Sequence, residues 1–149
     1  MGCGMIGRQL GRIKAWLEAR HYQDMTGKTD LKAMQTGTFA FRLNVPGLKE
    51  DRKTVNIPVD AVVMPRKSKP GQLPVMIEAK SAGDFTNTNK RRKEEATKIG
   101  QLKRMHGDAV QYVLFLCGYF DSGYLGYEAA EGIDWAWEHR MDDLKDFGL

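Results

Sequence analysis

PVMIEAKSAGD, residues 74–84, is an apolar run broken by one carboxylate, Glu78, and one ammonium, Lys80. Flanked by Pro74 and a polar Gly-containing segment, it has the length and composition of a buried β-strand. Residues two apart on a strand leave the same face, so Glu78 and Lys80 project together from its C-terminal end. Burying either charge alone is costly, so the pair must meet each other, a metal or a polar ligand. The acid-x-Lys pattern itself is common here: Asp30-Leu31-Lys32, Asp51-Arg52-Lys53 and Asp143-Leu144-Lys145 also carry it. Those copies lie in polar loops or on a helical segment, and only Glu78-Ala79-Lys80 lies in an apolar strand.

Outward from this strand the chain reads as helix, strand, strand, strand, helix, strand, helix. Leu10, Ile13 and Leu17 share a helical stripe within residues 7–23, and residues 24–37 read as a loop. TFAFRLNV (38–45) alternates as a strand with one buried face, PGLKEDRK (46–53) turns the chain, and VNIPVDAVVMP (55–65) is a second strand. Pro58 marks an irregular or edge position in it. RKSKPGQ (66–72) is a basic turn before the third strand, 73–81. KRRKEEATKIGQLKRMHG (90–107) is a charged helix with Ala96, Ile99, Leu102 and Met105 as its apolar stripe. Arg91 with Glu95, and Glu94 with Lys98, stand four apart and predict a solvated face. VQYVLFLCGYF (110–120) suits a fully buried central strand, and IDWAWEHRMDDLKDFG (133–148) reads as a last helix. A meander followed by a helical crossover builds an α/β fold, a mixed four-stranded sheet flanked by helices in the order α-β-β-β-α-β-α.

At 149 residues the chain is expected to form one domain, 1–149, with a core that needs no metal or disulfide staple. Its formal charge of +4 tilts it mildly toward anionic partners. Cys3 and Cys117 lack zinc spacing and are too few for a disulfide framework, which favours a reducing cytoplasm. No stretch is apolar enough to span a bilayer, and Arg8, Arg12 and Lys14 interrupt any signal-peptide core. Gly2, Gly4 and Gly7 have dinucleotide-fingerprint spacing but no preceding strand. Gly27-Lys28-Thr29 lacks the earlier glycine of a phosphate loop, because Tyr22 stands there. His21, His106 and His139 show no ligand spacing.

Asp60 lies in the strand before Glu78, and a tight hairpin would bring the two together. Two close carboxylates repel unless a cation lies between them, and hard oxygen ligands suit Mg²⁺. Lys80, on the same face, would orient or help deprotonate an attacking water and stabilise developing negative charge. That set of groups suits phosphodiester hydrolysis.

Val59-Asp60 followed by Glu78-Ala79-Lys80 resembles the PD-(D/E)xK nuclease superfamily, with Val59 in place of the usual proline. From about residue 55 onward the chain resembles XamI-type type II restriction endonucleases, most clearly in IEAKSAGDFTNTNKRRKEEA (77–96), YVLFLCGYFDSGYLGYEAAEGIDW (112–135) and WEHRMDDL (137–144). The resemblance implies Mg²⁺-dependent cleavage of double-stranded DNA, with Mn²⁺ able to substitute, by a cytoplasmic homodimer. It implies Asp60, Glu78 and Ala79 at the metal, with Asp60, Glu78 and Lys80 as catalytic residues. Glu18, an acid on the first helix, and Gln101, on the second, are accessory candidates. Asn87 and Asn89 with Lys90, Arg91, Arg92 and Lys93 are DNA-contact candidates, one of Thr88 or Asn89 serving as helix cap. Relatives of this kind carry additional N-terminal sequence that shapes the DNA cleft, so sequence recognition is the function least accounted for. The rival expectation is a non-catalytic DNA-binding or assembly module that keeps the nuclease fold.

Overall fold

The computed structural model describes residues 2–81, 88–117, 125, 129–130 and 132–149, with side chains from residue 7 and, in the second helix, from residue 93. In chain order the elements are α1 (Gly2–Ala19), β1 (Gln23–Asp24), β2 (Thr38–Leu48), β3 (Thr54–Met64), β4 (Val75–Ser81), α2 (Thr88–His106), β5 (Gln111–Cys117), β6 (Asp134–Trp137) and a 3₁₀ segment, Glu138–Phe147. The strands lie side by side in that order in one mixed sheet. β1 is parallel to β2, β2 to β4 form an antiparallel meander, and β4, β5 and β6 run parallel.

The mixed sheet flanked by helices matches the expectation, but among the described residues it has six strands rather than four. The short β1 is one addition. The other is β6, which replaces the start of the expected last helix. Trp135 and Trp137 pack toward the α2 side of the sheet while Ala136 is buried on the other, which is the period of a strand. Beyond Trp137 the chain forms the 3₁₀ segment, broken by the non-helical Arg140 and closed by Gly148 in the left-handed region (φ 84°).

Alternation sorts the core into two layers. Ile13 and Leu17 of α1 pack with Phe39, Val63, Ile77, Val113, Phe115 and Leu144 on one face. Ile99 and Leu102 of α2 pack with Val62, Met76, Tyr112, Leu114 and Leu116 on the other. β5, with β4 and β6 as neighbours, is buried on both faces, as its unbroken apolar run predicts.

The β2–β3 ribbon turns over along its length. Phe41 and its register partner Ala61 face the α1 layer, whereas Leu43 and its partner Val59 face the α2 layer. The inversion falls between these pairs, at Arg42, whose φ of 52° is left-handed, and at Asp60 opposite it. β3 pairs with β4 only through residues 61–63, so Pro58 lies where β3 has one strand neighbour, as expected. Pairing with β3 also carries β2 on to Leu48, past the expected turn at 46. Gly47 permits this: a Cβ there would stand 2.7 Å from Ile57 Cδ1 and 3.1 Å from the Gln101 carbonyl oxygen of α2.

Candidate active site

The β3–β4 register places Ala61 opposite Ile77, so Asp60 falls one step further on, level with Glu78. Strand pairing stops there. The Ala79 N–H of β4 donates instead to Asp60 Oδ2, at 2.9 Å. The carboxylate thus satisfies a buried donor that a strand carbonyl would otherwise have to meet. The connection between β3 and β4 brings the two acids together as the hairpin argument expected.

Glu78 and Lys80 leave β4 on the face of Met76, toward α2. Glu78 is 6% exposed. Burial first, and then the negative charge of Asp60, pushes its carboxyl up from 4.5 to about 8, against the opposing pull of Lys98 and Lys80. A buried carboxyl beside a second carboxylate has a cation as its natural complement. The donors, two carboxylates with a backbone carbonyl of the same strand, are hard oxygens that fit a magnesium-like ion, which keeps several waters and needs few protein ligands. Among the described residues no group of three or more His, Cys, Asp or Glu side chains forms a ready-made cage.

α2 meets the two β4 charges with two opposite ones. Glu95 Oε1 lies 2.5 Å from Lys80 Nζ, and Lys98 Nζ lies 4.0 Å from Glu78 Oε1. Glu95 is 1% exposed, and its other oxygen accepts from the Tyr112 hydroxyl of β5 at 3.3 Å. This corrects the expectation that Glu95 lies on a solvated face paired with Arg91, whose side chain lies outside the described residues. Lys98, expected to pair with Glu94, reaches Glu78. Glu95 lies four residues before Ile99 and seven before Leu102, so it stands on the buried stripe of the helix. Lys93 and Glu94 are exposed, as expected. The same signal, a polar residue at stripe spacing, marks Gln9, four before Ile13. Gln9 is fully buried, and its Nε2 donates to the Lys80 and Phe115 carbonyls at 3.2 Å each. α1 thereby pins the backbone of β4 at Lys80 while α2 holds the side chain.

The accessory candidates stand apart from this cluster. Glu18 is exposed, roughly 13 Å along α1 from Gln9 at the helical rise of about 1.5 Å per residue. Gln101 lines a shallow depression with Lys49, Asp51, Thr97 and Arg104, beside the β2–β3 turn. Of the DNA-contact candidates, Lys93 is exposed on the first turns of α2. Asn89, Lys90, Arg91 and Arg92 belong to that helix by backbone alone, and Asn87 lies outside the described residues. α2 follows β4 in the chain, with residues 82–87, outside the described residues, between them. An apolar groove lined by Met34, Pro46, Met64, Leu73 and His106 lies toward the opposite end of β4. No helix among the described residues is long and apolar enough to cross a membrane.

Comparison with known proteins adds identity to this geometry. The chain is 58% identical over 143 residues to the type II restriction enzyme SalI of Streptomyces albus G, covering 95% of this chain and 45% of that enzyme. It therefore spans less than half of that relative's length. Among solved structures, protein VC1899 from Vibrio cholerae aligns over 80% of this chain and 27% of its own, at 15% identity and a TM-score of 0.42. The family model for the XamI restriction endonuclease matches residues 5–137, and the chain belongs to that family.

Proposed function

We propose that this chain is a single domain forming the catalytic part of a type II restriction endonuclease, hydrolysing phosphodiester bonds of double-stranded DNA with Mg²⁺, or Mn²⁺ in its place. The observation that carries the reading is the juxtaposition of Asp60 with the buried, charge-strained Glu78, with Lys80 on the same strand face. In this reading Asp60, Glu78 and the Ala79 carbonyl hold the cation. When bound, the cation supplies Lewis-acid polarisation of the phosphate and neutralises its charge. Lys80 places a fixed positive charge where negative charge builds on the phosphate oxygens, and holds the attacking water by hydrogen bonding. Lys90, Arg91, Arg92 and Lys93, with Asn87 and Asn89, lie next in sequence after the β4 strand and contact phosphates or base edges. Two copies acting as a homodimer would cut both strands. Family membership supports the restriction setting, and the charge arrangement supports the hydrolytic one.

The test is cleavage of supercoiled plasmid with Mg²⁺, beside EDTA and Lys80→Ala controls. Discrete linear fragments that require both Mg²⁺ and Lys80 support the whole proposal. Nicking without discrete bands supports the hydrolytic site and places sequence recognition elsewhere. A folded chain that cuts in neither Mg²⁺ nor Mn²⁺ refutes it.

A further inference from the structure

The ion pair between Lys80 and Glu95 calls for a reason. Glu95 occupies a stripe position of α2 that Ile99 and Leu102 fill with apolar side chains, and an apolar residue there would avoid desolvating a carboxylate. Its two oxygens are instead committed to Lys80 Nζ and to the Tyr112 hydroxyl. Burial, and then the charge of Glu95, raises the Tyr112 hydroxyl well above its usual range, so it stays protonated and donates. Lys80 has a long, flexible side chain, and a second carboxylate, Glu78, stands two residues away on the same strand face. Lys98 already stands 4.0 Å from Glu78, and a second ammonium drawn into contact with it would neutralise the negative charge that a cation needs.

We propose that Glu95 is a positioning residue that holds the Lys80 ammonium against α2, so that a divalent cation at Asp60 and Glu78 and the ammonium occupy the site together. This inference rests on the hydrolytic reading of Asp60, Glu78 and Lys80 given above. Glu95 acts through Lys80 and does not itself ligate the cation. Tyr112, buried beneath α2, fixes the orientation of Glu95. Removing the Glu95 charge releases Lys80 toward Glu78, where it competes with the cation.

The test measures Mn²⁺ affinity calorimetrically on the full chain for the wild type, Glu95→Gln, Lys80→Met and the double variant. Glu95→Gln is expected to weaken Mn²⁺ binding roughly tenfold or more, the effect of one added positive charge at close range. The double variant is expected to recover wild-type affinity or better, because the competing ammonium is gone. Cleavage by Glu95→Gln at saturating Mn²⁺ should lose kcat with little change in KM for DNA. Recovery in the double variant separates positioning from ligation. Weak binding in both variants would make Glu95 a ligand and overturn the inference, as would unchanged affinity in Glu95→Gln. Should Glu95→Gln not fold, Tyr112→Phe keeps every charge, and it is expected to weaken Mn²⁺ binding by a smaller factor, reversed by Lys80→Met. Unchanged affinity in Tyr112→Phe then overturns the inference. Side-chain NMR of Lys80 in the metal-free chain distinguishes the two readings. An ammonium beside Glu95 in the wild type and displaced from it in Glu95→Gln, in a chain that binds no Mn²⁺, keeps the positioning pair and removes the hydrolytic reading. An ammonium in the same place in both removes the positioning role.

Discussion

Replacing Glu78 by Gln removes a carboxyl that the fold holds far from its ordinary protonation range. In the metal-free chain this group titrates at about 8 rather than 4.5, because it is buried and faces Asp60. Below pH 4.5 the carboxyl is protonated in folded and unfolded chains alike, and its favourable contribution is fully present. Above that pH the unfolded chain ionises first, so stability falls as pH rises and the loss is complete once the folded-state value is passed. The upper limit of that loss is roughly 5 kcal/mol, at 1.36 kcal/mol for each unit of displacement. For a chain of this size even half of that lowers Tm by on the order of 10 °C. Glu78→Gln keeps the shape and cannot ionise, so its stability should change less over the same interval. Urea and thermal unfolding of both proteins in EDTA, from pH 4.5 to 9, measure the difference directly. The wild-type curve should fall away from the variant's with increasing pH, and divalent cation should close the gap while releasing close to one proton per ion at neutral pH. Parallel curves within about 0.5 kcal/mol, the usual scatter of a surface substitution, would refute the picture of Glu78 as a strained buried acid.

The same geometry sets the outcome of other substitutions. Lys80→Met leaves Glu95 buried without its ion-pair partner and should cost roughly 3–5 kcal/mol by denaturant unfolding, much of it recovered when Glu95 is also made Met. Gly47→Ala forces a methyl against Ile57 and the α2 backbone and should lower stability by about 1–3 kcal/mol, measured in the same way. Leu102→Ala, at a fully buried position on the inner face of α2, should cost roughly 2–5 kcal/mol without changing the pH dependence attributed to Glu78. Replacing Lys90 to Lys93 by Ala should weaken DNA binding across all sequences and flatten the salt dependence by about 0.9 log units per lost phosphate contact. A slope unchanged from wild type would take those residues off the DNA.

The chain alone determined more of the site than of the frame around it. An acid and a lysine two apart in an apolar strand must share a face, and the strand period forces this wherever the strand packs. The unbroken run at 110–120 likewise required burial on both sides, and β5 has it over Gln111–Cys117, with 118–120 outside the described residues. The terminal segment was less legible, because its charged 138–146 stretch reads as helical while the Trp135–Ala136–Trp137 alternation belongs to a strand. Trp135 and Trp137 could not share one helix face, and that conflict was the available signal. Other features depend on contacts distant in sequence. Glu95 and Gln9 stand at stripe positions, but a stripe does not say which polar residue is wanted there. Only the packing of α2 on β4 and β5 shows that Lys80 and Tyr112 wait opposite Glu95. Only the end of β3–β4 pairing shows why Asp60 turns to the Ala79 N–H. Local periodicity is written in single residues. The pairing of buried charges is decided by which elements the fold brings face to face, since each charge is tolerable only with its partner.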